Sequence, residues 1–328
     1  MLAVAAATSL DSAQRASRTT GVPHALQDAG RDDKGALAVL RRDGVIFPFA
    51  SFDRDVWEIT WPLWFRDIKL PGALQQIPDK WWGKGSARSW RAHLLSGATA
   101  DLTLRAVGAF RPFCVDRLGL ATTYKSSEPL PPKPVHPYPK DGVAVSGNLS
   151  IDPIESVNPA SPEARTLLGQ LVKPFDQLEE RTIQAVRINT GWKHPLDDEV
   201  RKTVPIKLES WYRSPSSEPG WTVSYIEASR VYPPGPEDKG CGLETFVSGW
   251  LHQNRGEVTR TADLRAKVTY CDRVGVAYML PFGRIRPRTR DYWIFQLSGW
   301  ETEWYAVAEV GREKVRHVID VNAGGCRP

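Results

Sequence analysis

The chain has 328 residues, of which 41% are hydrophobic and 25% charged, and a formal net charge of +5. That composition excludes a wholly disordered chain, a coiled coil and a collagen-like rod, and the length points to two domains or one large β architecture. The positive excess is too small for a nucleic-acid arm or a polybasic membrane anchor, so neither nucleic acid nor a membrane surface is an expected partner. Twenty-six Pro and twenty-six Gly predict many turns and few long helices, and thirteen Trp are unusually many.

Residues 1–33 open on an apolar, small-residue stretch, Met1 to Ser9, and continue as a polar leader without periodicity. The start lacks a basic region and is too short to span a membrane. Ala5-x-Ala7 satisfies a cleavage rule, so the segment reads as an incomplete signal peptide and favours an extracytoplasmic location, periplasmic or secreted.

Residues 34–125 read as an N-terminal β region. Ala36–Arg42 and Val45–Ala50 flank Asp43-Gly44, which predicts a hairpin with a tight primed turn. Val56–Trp61 and Leu102–Val107 alternate as strands do. Between them, WWGKGSARSW carries Trp81, Trp82 and Trp90, either packed between sheets or set out as an aromatic shelf for sugar rings, with Lys84 and Arg88 beside it. Residues 126–142 are dense in proline, which forces extended backbone and reads as a linker or a strap across a surface.

Residues 143–328 read as a C-terminal β region with one helical insertion near 161–187. Ser161-Pro162 is a helix start, and Leu167, Leu168 and Leu171 follow at helical spacing. Pro174 is expected to kink or end the helix. A second piece, Phe175–Ala185, turns Leu178 and Ile183 inward and Glu179-Glu180 to solvent. Strands are expected at 204–212, 221–226, 266–270, 274–280, 292–297, 304–310 and 315–321.

The fold class is therefore mainly β, either propeller-like or two packed antiparallel β domains. Weak internal similarity bears on that choice. Arg42-Asp43-Gly44-Val45, Arg117-Leu118-Gly119-Leu120 and Arg273-Val274-Gly275-Val276 share one pattern, and Ser-Gly-Trp occurs at 248–250 and 298–300. The irregular spacing fits either a degenerate hairpin repeat or chance likeness among hairpins.

The four cysteines, Cys114, Cys241, Cys271 and Cys326, allow three pairings as two disulfides; four free thiols in a cytosolic protein are the alternative. Local context suggests Cys241–Cys326 and Cys114–Cys271. There is no CxxC, no HxH and no HExxH, so no metal site and no cofactor is expected.

Two polar stretches stand out. In Trp300-Glu301-Thr302-Glu303-Trp304-Tyr305, strand alternation sets Glu301 and Glu303 on one face and Trp300 and Trp304 on the other. Two carboxylates on one face suit glycoside hydrolysis, and Glu209 and Glu227, on aromatic-rich strands, are equally eligible. Arg284, Arg286, Arg288 and Arg290 alternate along GRIRPRTRD and would form an anion-binding strip if extended, or a charged hairpin guarding a sheet edge. The expectation is an exported, non-enzymatic binding or structural protein whose ligand is a glycan or an anionic cell-envelope polymer. A carbohydrate-active hydrolase is the alternative.

Overall fold

The structure is a computed structural model describing residues 33–62, 70–85, 89–111, 114–132, 135–190, 194, 196–234, 242–300, 302–311 and 314–326. The leader to residue 32, Arg88, Cys241 and Glu301 lie outside the described residues.

Three antiparallel sheets follow one another along the chain. The first contains β1 (Lys34–Arg41), β2 (Val45–Asp53), β3 (Val56–Glu58), β4 (Trp90–Leu94), β5 (Thr99–Leu102), β6 (Leu104–Phe110), β7 (Arg117–Thr122) and β8 (Lys140–Gly147). Its order is β5-β4-β8-β1-β2-β7-β6, with β3 paired to β2. The second sheet begins at β9 (Glu155–Ser156). After α1 (Pro162–Thr190) and α2 (Asp198–Thr203) it takes in β10 (Lys207–Pro215), β11 (Trp221–Val231), β12 (Leu243–Asn254) and β13 (Glu257–Tyr270), in the order β13-β12-β11-β10-β9. The third is a plain meander of β14 (Ala277–Ile285), β15 (Tyr292–Gly299), β16 (Thr302–Val310) and β17 (Val315–Gly325).

The protein is thus mainly β with one long helix. The sheets pack face to face rather than radially, and the third is the middle layer. Along β15, Tyr292 and Ile294 enter a core with Leu37, Phe49 and Val143 of the first sheet. Trp293 and Phe295 enter a core with Val223, Tyr225 and Trp250 of the second. Consecutive side chains of a strand point to opposite faces, so a strand covered on both sides loses its polar alternation. The outer face of the first sheet is covered by Trp61, Ile77 and Trp82, and that of the second by α1.

Local chemistry explains several departures from the sequence reading. The β1–β2 turn is not a primed one. Gly44 N–H donates to Arg41 at 3.0 Å and only Gly44 has positive φ, so the turn spans three residues and needs its glycine at the last. Helix α1 starts where expected, with Ala164 N–H donating to the Ser161 hydroxyl at 3.1 Å. It then runs through Pro174 to Thr190. Burial of Leu167, Leu171, Phe175 and Ile183 holds both halves on one line and offsets the backbone bond that proline forfeits. Glu179 does not face solvent. It is buried, paired with Arg230 of β11 and hydrogen-bonded by the Tyr232 hydroxyl, because α1 still faces the second sheet at this position.

The proline run leads into β8, which lies between β4 and β1 within the first sheet. It rests on the β1–β2 turn: Arg42 N–H donates to Pro139 at 3.0 Å and the Arg41 guanidinium sits 4.0 Å from the Tyr138 ring centre. The Arg-x-Gly-aliphatic copies occupy a β1–β2 turn, the interior of β7 and the turn before β14, so they are not one repeated unit.

The disulfide pairing suggested by local context is corrected. Cys114 bonds Cys326, with Cα atoms 4.8 Å apart, joining the β6–β7 loop of the first sheet to the end of β17 in the third. Which sheet ends meet is a property of the layer stacking, and the residues flanking a cysteine carry no information about it. Cys271 is also disulfide-bonded. Among the described residues no helix is long and apolar enough to cross a membrane.

Candidate functional site

The sequence-derived candidates fall in four places. Trp82 and Trp90 are buried in the outer core of the first sheet, and the Trp61 ring lies 5.8 Å from Trp81 and 5.6 Å from Trp82. These indoles pack against one another and form no open shelf. Trp300 is 51% exposed and Trp304 is half-buried.

Each arginine of the strip lies beside a carboxylate, Glu309 being shared with Arg316. Arg284 lies 3.5 Å from Asp152, Arg286 2.7 Å from Asp291, Arg288 2.7 Å from Asp55 and Arg290 3.8 Å from Glu309. The charge of the β14–β15 connection is largely neutralised within the chain.

Glu303 is fully buried between the first and third sheets, 2.9 Å from the Lys140 ammonium. Burial lowers the Lys140 pKa while Glu303 opposes the shift, and burial drives the neighbouring Tyr305 phenol well above its ordinary value. Burial also pulls Arg117, on the same cluster, down to about 10. Such a pair organises an interior and offers nothing to a substrate in bulk solvent.

Glu209 and Glu227 come together. The irregularity between Leu208 and Ser210 puts Glu209 beside Glu227 on the face of the second sheet that meets the third. Arg273 is the hub. It holds both Glu209 oxygens at 2.7 Å, lies 2.7 Å from Glu244 and donates to the Tyr278 hydroxyl. Burial raises Glu209, but Arg273 and the Ser229 hydroxyl outweigh it, so its pKa ends below normal. Glu227 lacks that clamp. Burial pushes it up to about 7, opposed by the Met279 N–H that donates to it at 2.6 Å. Burial raises Glu244 as well.

Next to this acidic group the second and third sheets diverge and leave a cleft of about 780 Å³, within the range of small-molecule sites. Its floor is aromatic: Tyr225, Phe246, Trp250 and Phe295, with Met279 and Leu297 beside them. The Trp250 ring meets Tyr225 at 5.2 Å and Phe295 at 6.1 Å, both edge to face. Tyr225 is buried, shares a hydrogen bond with Ser248, and has its phenol raised by burial and by Glu227.

The lip is charged. On the third sheet His317 packs 5.6 Å from Phe295 and bonds Asp320, while Arg316 bonds Glu309. On the second sheet β13 presents Asp263, Arg265 and Lys267. Among the described residues Arg265 and Lys267 have no ion-pair partner, so the uncommitted charge of the lip is net positive. A bulge aims this stretch. Asp263 has φ +50°, opposite Gly249, whose own φ is +152° and where a Cβ would sit 2.6 Å from the Asp263 carbonyl oxygen. Only glycine permits that approach.

The cleft residues were not found by motif. Their one local signal is the alternation of Arg265 and Lys267 with apolar neighbours on a strand beside Ser248-Gly249-Trp250. Among the described residues no three His, Cys, Asp or Glu side chains gather to hold a metal ion. The floor rings are themselves buried, so the arrangement offers an apolar base beneath guanidinium and ammonium groups that can neutralise an acid. No known protein family, characterised protein or solved structure matches this chain, so the functional reading rests on the chemistry of the cleft.

Proposed function

We propose that the chain is a non-enzymatic binding protein acting outside the reducing cytosol, and that the cleft between the second and third sheets takes an anionic glycan. One observation carries this reading: an aromatic floor beneath Arg265 and Lys267, two cations that no carboxylate among the described residues pairs with. The apolar faces of the sugar lie over this base while its acid groups meet the lip. The disulfides support an oxidising location.

The test is calorimetric titration with an oligogalacturonate of a few units against a neutral galactose oligomer of equal length. The acidic oligomer is expected to bind, with affinity falling as salt rises. Arg265→Glu with Lys267→Glu is expected to weaken it by about tenfold or more, since each displaced charge contact to an anion is worth roughly 1 kcal/mol or more. Equal binding of the neutral oligomer, no binding of either, or an unchanged affinity after charge reversal overturns the proposal.

One observation favours a carbohydrate-active hydrolase as second reading. Neighbouring Glu227 and Glu209 have pKa values pushed in opposite directions, as in acid–base pairs. Against it, both Glu209 oxygens are held by Arg273 and Glu227 is only 1% exposed. Release of new reducing ends, lost in Glu227→Gln, would favour the hydrolase.

A further inference from the structure

The acidic group under the cleft has a charge imbalance. Three carboxyls, Glu209, Glu227 and Glu244, gather about one guanidinium, and Arg273 spends its nitrogens on Glu209, Glu244 and the Tyr278 hydroxyl. Ionising all three would leave a net charge of two negatives in a largely buried place, which is unfavourable in a low-dielectric interior. The carboxyl without the guanidinium clamp is Glu227. It is also the one coupled to the cleft: its oxygen accepts the N–H of Met279, whose side chain lines the floor, and Tyr225 lies two residues away on the same face of β11.

The groups facing Glu227 come from every packed element. They are Glu209, Tyr212 and the Ser210 hydroxyl on β10, Tyr225 on β11 and Arg273 before β14, while Glu244 on β12 touches the group through Arg273 and Glu209. No described cation but Arg273 acts on Glu227 among these, and Arg265 acts on the neighbouring Tyr225.

We infer that Glu227 is a proton gate for the cleft, so that an anionic ligand binds together with a proton taken up by this carboxyl. Ionised Glu227 places a negative charge under the floor and opposes the anion; neutral Glu227 does not. Burial holds the Glu227 pKa near 7, which puts the change at neutral pH. By linkage, whatever a bound anion gains from a neutral Glu227 must appear as a raised proton affinity of that carboxyl in the complex. This inference rests on the proposed anion binding at the cleft.

The experiment is calorimetric titration of the full chain with oligogalacturonate, whose own carboxylates stay ionised throughout, between pH 6 and pH 8. Affinity is expected to fall about three- to tenfold over that range. Repeating the titration at pH 7 in buffers of different ionisation enthalpy is expected to show net proton uptake of roughly half a proton. Glu227→Gln is expected to flatten the pH profile, whereas His317→Asn, which removes the titratable group of the opposite wall, is expected to leave its slope. Binding that is independent of pH, proton release, or a slope lost in His317→Asn and kept in Glu227→Gln overturns the gate while leaving anion binding intact. Absence of binding at every pH overturns the anion-binding reading itself.

Discussion

A lysine ammonium and a glutamate carboxylate face each other at 2.9 Å, both essentially inaccessible to water. Each needs the other, because an isolated charge between two sheets has no solvent to compensate it. Lys140→Met is therefore expected to lose about 3–5 kcal/mol of unfolding free energy in urea denaturation, and adding Glu303→Leu to recover most of it. Additive losses in the double variant would contradict the pairing. Glu227 behaves differently because its partners, a backbone N–H and the Ser210 hydroxyl, carry no charge. Its folded pKa of about 7 lies above the ordinary 4.5. The folded state then binds more protons between those values, so its stabilising contribution is complete below about pH 4.5 and is lost as pH rises through 7. Relative to Glu227→Gln, the parent is expected to lose roughly 2–4 kcal/mol between pH 5 and pH 8. A pH-independent difference would show that the carboxyl is not held neutral. Glu303 and Glu227 were both visible in the sequence as acids on aromatic-rich strands. What separates them, a lysine 163 positions away for one and an amide 52 positions away for the other, is long-range and left no local mark.

Among the elements, those marked by a cap, a turn signal or a period were legible, the twice-covered β1, β2 and β15 included, and those without such a mark were not. Helix α1 announced itself through Ser161-Pro162 and the leucine spacing, and β13 and β17 through alternation near their ends. β12, with ten of its twelve residues buried, reads as LETFVSGWLHQN without a period and escaped notice. β8 was hidden in the same way behind the proline run, with six of its eight residues buried. The continuation of α1 past Pro174 was equally illegible, since the compensating contacts come from β10, β11 and β12. Phe175 is the test of that compensation: it stands one residue after the proline and is 2% exposed. Phe175→Ala is expected to destabilise the chain by about 3–5 kcal/mol and to expose the adjoining turns of α1 to hydrogen exchange. A loss under about 1 kcal/mol would mean that burial does not hold the helix across Pro174.

For the molecule as a whole, the stacking of three sheets decides where function can reside. The interface between the first and third sheets is closed by packing, by the Lys140–Glu303 pair and by the Cys114–Cys326 bond near its rim. The interface between the second and third sheets is packed around Trp250, Trp293 and Phe295, and the cleft opens directly above that core. Tryptophan therefore has two roles here, covering the outer face of the first sheet at Trp61, Trp82 and Trp90 and filling the space between the second and third sheets at Trp293 and Trp250, the latter under the cleft. The most direct measurement is a crystal structure of the protein with bound oligogalacturonate. The account predicts the sugar seated in the cleft above the buried Trp250–Phe295 core, with carboxylates within hydrogen-bonding distance of Arg265 and Lys267. Sugar bound to another surface, with the cleft unchanged, would contradict it.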